Sequence, residues 1–168
     1  MLSCLQPITL EVQMPKKPRY ADAELILKLY DLRREAEIRK ARSWWAADFW
    51  PESADDFMKI AMAMGTQENN WLRQVGGYWD LAASLVVHGT LNEALFLEPA
   101  FSNEMFLIFA KIHPFLKELR EKLKNPHMLA NIEKVIKNTK TGRDRLKYME
   151  ERLAARRKMM KEAAAKTG

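Results

Sequence analysis

"WLRQVGGYWDLAASLVV", residues 71–87, decides the fold. On an α-helix each residue advances by about 100°, so Trp71, Val75, Tyr78, Ala82 and Leu85 fall within one narrow arc. Leu72, Trp79 and Val86 widen that arc to about half the cylinder, more than one neighbouring helix can cover. The segment is expected to be the central helix of an all-helical core. Gly76 and Gly77 lie inside it, where each costs about 1 kcal/mol relative to alanine. Such a pair predicts the close approach of another helix backbone. Gly89 suits the C-terminal end, and Thr90 with Glu93 spells a capping box for the next helix.

Toward the N-terminus, Leu25, Leu29, Leu32 and Ala36 share one helical face, with Asp22 as the expected cap. Past Ile38 the apolar positions become Ile38, Ala41, Trp45 and Phe49, nearly opposite the first stripe, so the helix either changes partners or breaks. In "ARSWWAADFWPESADDF", residues 41–57, Trp44 and Trp45 diverge by about 100° and Pro51 forces Trp50 out of helical geometry. Diverging rings form the corner of a core, not a binding cage. Ser53 and Asp56 resemble a capping box for the following helix. Trp50, the ring with the most constrained direction, is the candidate exposed aromatic.

Toward the C-terminus, Ser102 is the expected cap of a helix carrying Met105, Ile108, Ile112, Phe115, Leu116, Leu119 and Leu123 on one face. Pro114 kinks it without breaking the stripe. Asn125 and Pro126 read as N-cap and first position of a helix bearing Met128, Leu129, Ile132, Val135 and Ile136. Alternation is confined to "ITLEV" at 8–12. The last segment, 142–166, has a thin apolar line of Leu146, Met149, Leu153 and Met160, interrupted by Arg156 and Arg157. It is expected either to project as a solvated arm or to hold a seam for a partner helix. The fold class is therefore all-α, a single-domain bundle of about five to seven helices with a projecting basic C-terminal helix. Residues 1–19 read as a leader, 20–140 as the core and 141–168 as the arm.

A chain of 168 residues is long enough for one substantial core. The net charge of +6 is concentrated at the two ends, in Lys16, Lys17 and Arg19 and again through 142–161. Cys4, the single cysteine, cannot form an internal disulfide, which points to a reducing compartment and a cytoplasmic location. No apolar run approaches the roughly 20 residues of a membrane span. Pro7 and Glu11 break the apolar start, arguing against a signal peptide, and Met14 is a second candidate start.

Reactive constellations are missing. With one cysteine and only His88, His113 and His127, a Cys/His zinc site is excluded, and no histidine follows a glutamate by three residues as bundle di-iron sites require. There is no H-E-x-x-H, G-x-x-x-x-G-K-[ST], G-x-S-x-G or G-x-G-x-x-G. His88 and His113 fall at expected helix ends or kinks, where they would hydrogen-bond loose carbonyls. Glu93 and Glu98 do not define a shared acid/base site. No catalytic, cofactor-binding or metal-ligating residue is assigned, and no enzyme activity is expected.

Three stretches carry a resemblance: "LYDLRREAEIRKAR" near the start, "YWDLAASLVVHGTLNEALFLE" in the centre and "KIHPFLKELREKLKNPHMLANIE" toward the end. Together they resemble a bacterial domain-of-unknown-function family of small helical proteins, over roughly Tyr20 to Ile136. The resemblance implies an all-α bacterial protein with no catalytic residues to carry over. In some members it implies an N-terminal membrane anchor, for which no counterpart is expected here.

These features favour a non-enzymatic protein-interaction or scaffolding role, through another protein or a second copy. The candidate residues are Trp50, Arg143, Arg145, Leu146, Met149, Arg152, Leu153, Arg156, Arg157 and Met160. On this view, removal of 142–168 leaves a folded core without its partner. One alternative is nucleic-acid binding through the cations of the arm, weakened by Asp144, Glu150 and Glu151 among them. A further alternative is a small apolar ligand held between helices, with tryptophans and the ten methionines as adaptable walls.

Overall fold

A computed structural model describes residues 17–167. Cys4, Met14, the "ITLEV" stretch and all of the leader up to residue 16 lie outside the described residues. Among the described residues the fold is all-helical: α1 (Tyr20–Leu32), α2 (Ala36–Ala47), α3 (Ala54–Ala61), α4 (Gln67–Val87), α5 (Glu93–Phe96), α6 (Pro99–Ile112), α7 (Leu116–Lys122), α8 (Ala130–Asn138) and α9 (Lys140–Thr167). As its wide apolar arc requires, α4 is central, packing against α2, α3 and α8, while α9 lies across α6 and α8. The buried face of α4 is Asn69, Leu72, Val75, Trp79, Ala82, Ala83 and Val86. That is one register away from Trp71, Tyr78 and Leu85, which are only half-buried. Trp79 meets Phe96 and Phe101 edge-on, with ring centroids 6.4 and 5.5 Å away.

The long first helix breaks, between Leu32 and Ala36. Arg33 turns inward at the break: its guanidinium donates to the Phe101 carbonyl at 3.0 Å and lies 5.1 Å from the Phe101 ring and 5.6 Å from Trp79. Glu104 on α6 accepts from Arg42 Nε at 2.8 and 2.9 Å and stands 3.7 Å from Arg33. Apolar rings and one shared carboxylate thus hold a cation that is only 5% exposed.

The 41–57 stretch is a corner, and a buried lysine fastens it. Lys111 on α6 is fully buried, and its Nζ donates to the carbonyls of Trp45 and, at 2.7 Å, Phe49. These are the loose acceptors left where α2 ends. Trp50 covers the ammonium at 4.0 Å, and Arg156 lies 5.0 Å from the same ring. Arg157 donates to the Pro51 carbonyl at 2.8 Å, and Lys161 pairs with Glu52 at 2.8 Å. Burial, with Arg156 and Arg157 close by, pushes the Lys111 ammonium down to about 7.

In α9 the first half does not project. Leu146, Met149 and Leu153 are each 6% exposed and belong to the core, so the thin apolar line is the width of the groove between α6 and α8. Its seam is filled within the chain. The last turns, from Ala154 on, are largely exposed.

Several boundaries move for tertiary reasons. Asp22 sits one turn inside α1, accepting from the backbone N–H of Arg19 at 2.7 Å and of Asn92 at 2.9 Å, so it joins two helix starts. Asn92, not Thr90, caps α5, accepting from the Leu95 N–H at 3.0 Å, and Glu93 pairs with Asn138 instead. Pro99 opens α6, which leaves Ser102 a buried residue accepting from Arg145 at 3.1 Å. A 3-10 turn, His113–Phe115, separates α6 from α7 at Pro114. Residues after Pro126 form turns, and α8 starts only after Leu129, whose φ of 54° is left-handed. His113 meets Glu150 of α9 at 2.8 Å, where a helix-end carbonyl was expected. The Ser53–Asp56 cap and the Gly89 helix end stand as read, with Asp56 N–H donating to Ser53 Oγ at 3.2 Å and Gly89 at φ 70°.

Two measurements test this packing. Leu146→Ala should cost about 2–5 kcal/mol in urea unfolding, the range for a buried leucine, whereas a seam open to solvent would lose less than about 0.5. For Lys111, the unfolded chain binds more protons than the folded one between about pH 7 and 10.5. Wild-type stability relative to Lys111→Met should therefore rise with pH above 7, by no more than about 1.4 kcal/mol per unit, and be flat below it.

Candidate functional site

Part of α4 is incompletely covered by its neighbours, at half-buried Gly76 and exposed Arg73 and Gly77. Asn69, Leu72, Arg73, Gly76, Gly77 and Asp80 recur at three- and four-residue spacing and form the floor of a cleft of about 450 Å³. Trp45 of α2, Phe57 and Ala61 of α3 and Ile108 of α6 line it, and the connection between α7 and α8 closes it with Leu123, Asn125, His127, Met128 and Leu129. This volume lies within the range of small-molecule sites. Other concavities, such as those beside Glu37 and Gln74 or beside Asp31 and Arg39, are lined mainly by charged and polar surface side chains.

The glycine pair belongs to this cleft. A Cβ built on Gly76 or Gly77 meets nothing within 4 Å, so no helix backbone approaches there, contrary to expectation. The close approach falls at Gly142, where a Cβ would overlap the Ile136 carbonyl oxygen at the α8–α9 junction. Two glycines in a long helix, each unfavourable by about 1 kcal/mol, thus leave the floor of the cleft bare.

Two buried polar atoms at the cleft have no partner among the described residues. Asn69 is fully buried; its amide nitrogen donates to the Ile60 and Ala61 carbonyls at 3.0 and 2.8 Å, fixing the end of α3, while Oδ1 accepts from nothing. Trp45 is 2% exposed, and its Nε1 likewise donates to nothing. Each such atom costs about 1–3 kcal/mol unless something supplies the bond. Asp80 is committed: Oδ1 accepts from the N–H groups of Asn131 and Ile132 at 3.1 and 3.3 Å, and Oδ2 from the Asn131 amide at 2.9 Å, capping α8. Lys124 and Leu129, which among the described residues are the non-glycine positions with positive φ, both belong to the closing connection. Strain of this kind gathers where function constrains the backbone.

The residues singled out in the sequence lie elsewhere. Trp50 is half-buried between Lys111 and Arg156. Leu146, Met149 and Leu153 are core. Arg145 donates to the Leu97 carbonyl and lies 4.0 Å from the Phe106 ring, and Arg143 donates to the Lys137 carbonyl at 2.6 Å. Arg157 holds Pro51, Arg152 lies 5.7 Å from the Tyr148 ring, and Met160 is 43% exposed on the final turns. Apart from Trp50, in the connection between α2 and α3, they form a strip along α9, not a pocket. Sequence reading missed Asn69 and Arg73, and the one signal for them was the glycine pair on their face.

Substitutions at the two kinds of glycine should act in opposite directions. Gly77→Ala should stabilise the fold by about 0.5–1 kcal/mol, since the methyl meets open space. Gly142→Ala should destabilise it by about 1–3 kcal/mol. Thermal and urea unfolding measure both, and equal signs would contradict the geometry.

Among the described residues, no helix is long and apolar enough to cross a membrane and no cluster of three His, Cys, Asp or Glu side chains is placed to hold a metal. Comparison with curated proteins and with solved structures finds no match. A family described as "Domain of unknown function (DUF4760)" matches residues 18–139, a span that holds every residue of the cleft and stops one residue before α9. With most of its chain inside that match, including the central stretch from which the fold was read, the protein belongs to the DUF4760 family.

Proposed function

We propose that this protein is a non-enzymatic binding domain that holds a small, largely apolar molecule in the cleft between α3, α4, α6 and the α7–α8 connection. One observation carries the proposal: α4 keeps two unfavourable glycines open beside two buried, unpartnered polar atoms of opposite kind, Asn69 Oδ1 and Trp45 Nε1. An occupant would fill the first and complete the second. Binding is favoured over turnover because the cleft offers an amide, an indole, a guanidinium, a carboxylate already capping α8 and a single imidazole, His127. No nucleophile stands beside a base there.

Readings that place function on the C-terminal helix draw on side chains that in part serve the fold. Leu146, Met149 and Leu153 are used in the core, and Arg145, Arg156, Arg157 and Lys161 in contacts within the chain. The lone cysteine fits a reducing bacterial cytoplasm as the setting.

The test is a titration with 2-naphthol, followed by the indole N–H resonance of Trp45 and by heat of binding. Wild type should bind and shift that resonance. Gly76→Leu, which places a side chain in the cleft without straining α4, should weaken binding at least about tenfold. Equal binding by Gly76→Leu, or a response confined to other tryptophans, would refute the site.

A further inference from the structure

Given that the cleft is a binding site, its polar groups restrict what enters. Asn69 Oδ1 can only accept a hydrogen bond and Trp45 Nε1 can only donate one, and both are closed to solvent, so an occupant that displaces the side chains over them is matched when it carries both a donor and an acceptor on its apolar body. The charges at the cleft are unequal in availability. Asp80 is its single acid, and three donors from the start of α8 already satisfy that carboxylate. Arg73, one turn along the same face of α4 from Asn69, is exposed and forms no ion pair among the described residues. A guanidinium at the edge of an apolar cleft, with the neighbouring negative charge spent, complements an anion.

We propose that the ligand is a small amphipathic carboxylate: a ring system or short chain within the cleft, with a hydroxyl or N–H among its polar groups and its carboxylate at Arg73. The apolar walls, chiefly Phe57, Leu72, Ile108 and Met128, take the body, and Met128 adapts to its outline. Arg73 selects charge and Asn69 with Trp45 selects orientation. The glycines set the depth.

Two probes that differ only in the anion test this. 6-Hydroxy-2-naphthoate and 2-naphthol share ring and hydroxyl, and calorimetry on the full chain gives the affinity of each. The naphthoate should bind more tightly by about five- to tenfold, the scale of an ion pair at a solvent-facing edge. Arg73→Gln should erase that preference, while Lys28→Gln, which removes an exposed cation of α1 that does not line the cleft, should keep it. Equal affinities in wild type, or a preference that survives Arg73→Gln, would overturn the carboxylate assignment while leaving the cleft as a binding site. Binding of neither probe would bring down the site itself, and this inference with it.

Discussion

A cation with no access to solvent holds the bundle's corner. Lys111 is placed where α2 runs out of partners for its carbonyls, and it serves Trp45 and Phe49 together. Trp50 lies over the ammonium on one side and α9 closes above it through Arg156 and Arg157. Desolvating an ammonium is expensive unless its hydrogen bonds are replaced, and here backbone carbonyls and an aromatic face replace them. The arrangement reaches the cleft directly: Trp45 lines it, and so does Ile108, one turn before Lys111 on α6.

The central helix faces two demands. Along Leu72, Val75, Trp79, Ala82 and Val86 it buries apolar surface against its neighbours, the main source of stability in a chain without staples. Along Gly76 and Gly77 it gives up helix propensity and packing alike. A site selected only for stability would carry alanine there, since nothing obstructs a Cβ. Buried polar atoms without a partner also occur at Trp79, Arg145 and Arg157, and at the cleft two of them accompany the glycine pair.

The architecture was legible because helical periodicity survives local detail. The central stripe, the corner at Pro51, the Ser53 cap and the end at Gly89 depend on residues close in sequence. Boundaries were displaced where a distant partner supplied the hydrogen bond. Asp22 serves Asn92 across the fold, Arg33 finds Phe101 and Glu104, and Ser102 is claimed by Arg145. The line Leu146, Met149, Leu153 and Met160 looks too thin to bury, yet α6 and α8 present a groove that takes the first three, while Met160 and the last turns stay exposed. The cleft was illegible as a whole, since Trp45, Asn69, Ile108 and the α7–α8 connection meet only in three dimensions. Gly76–Gly77 was noticed, and its cause was assigned to the wrong neighbour.

The seating of α9 bears on where this domain ends. The family match stops at residue 139, but Leu146, Met149 and Leu153 beyond it are part of the same hydrophobic core. Excising the matched segment would bare a greasy flank of α6 and α8. A fragment cut at residue 139 would need a substitute cover for that flank, so α9 acts as a built-in lid on the family's shared unit.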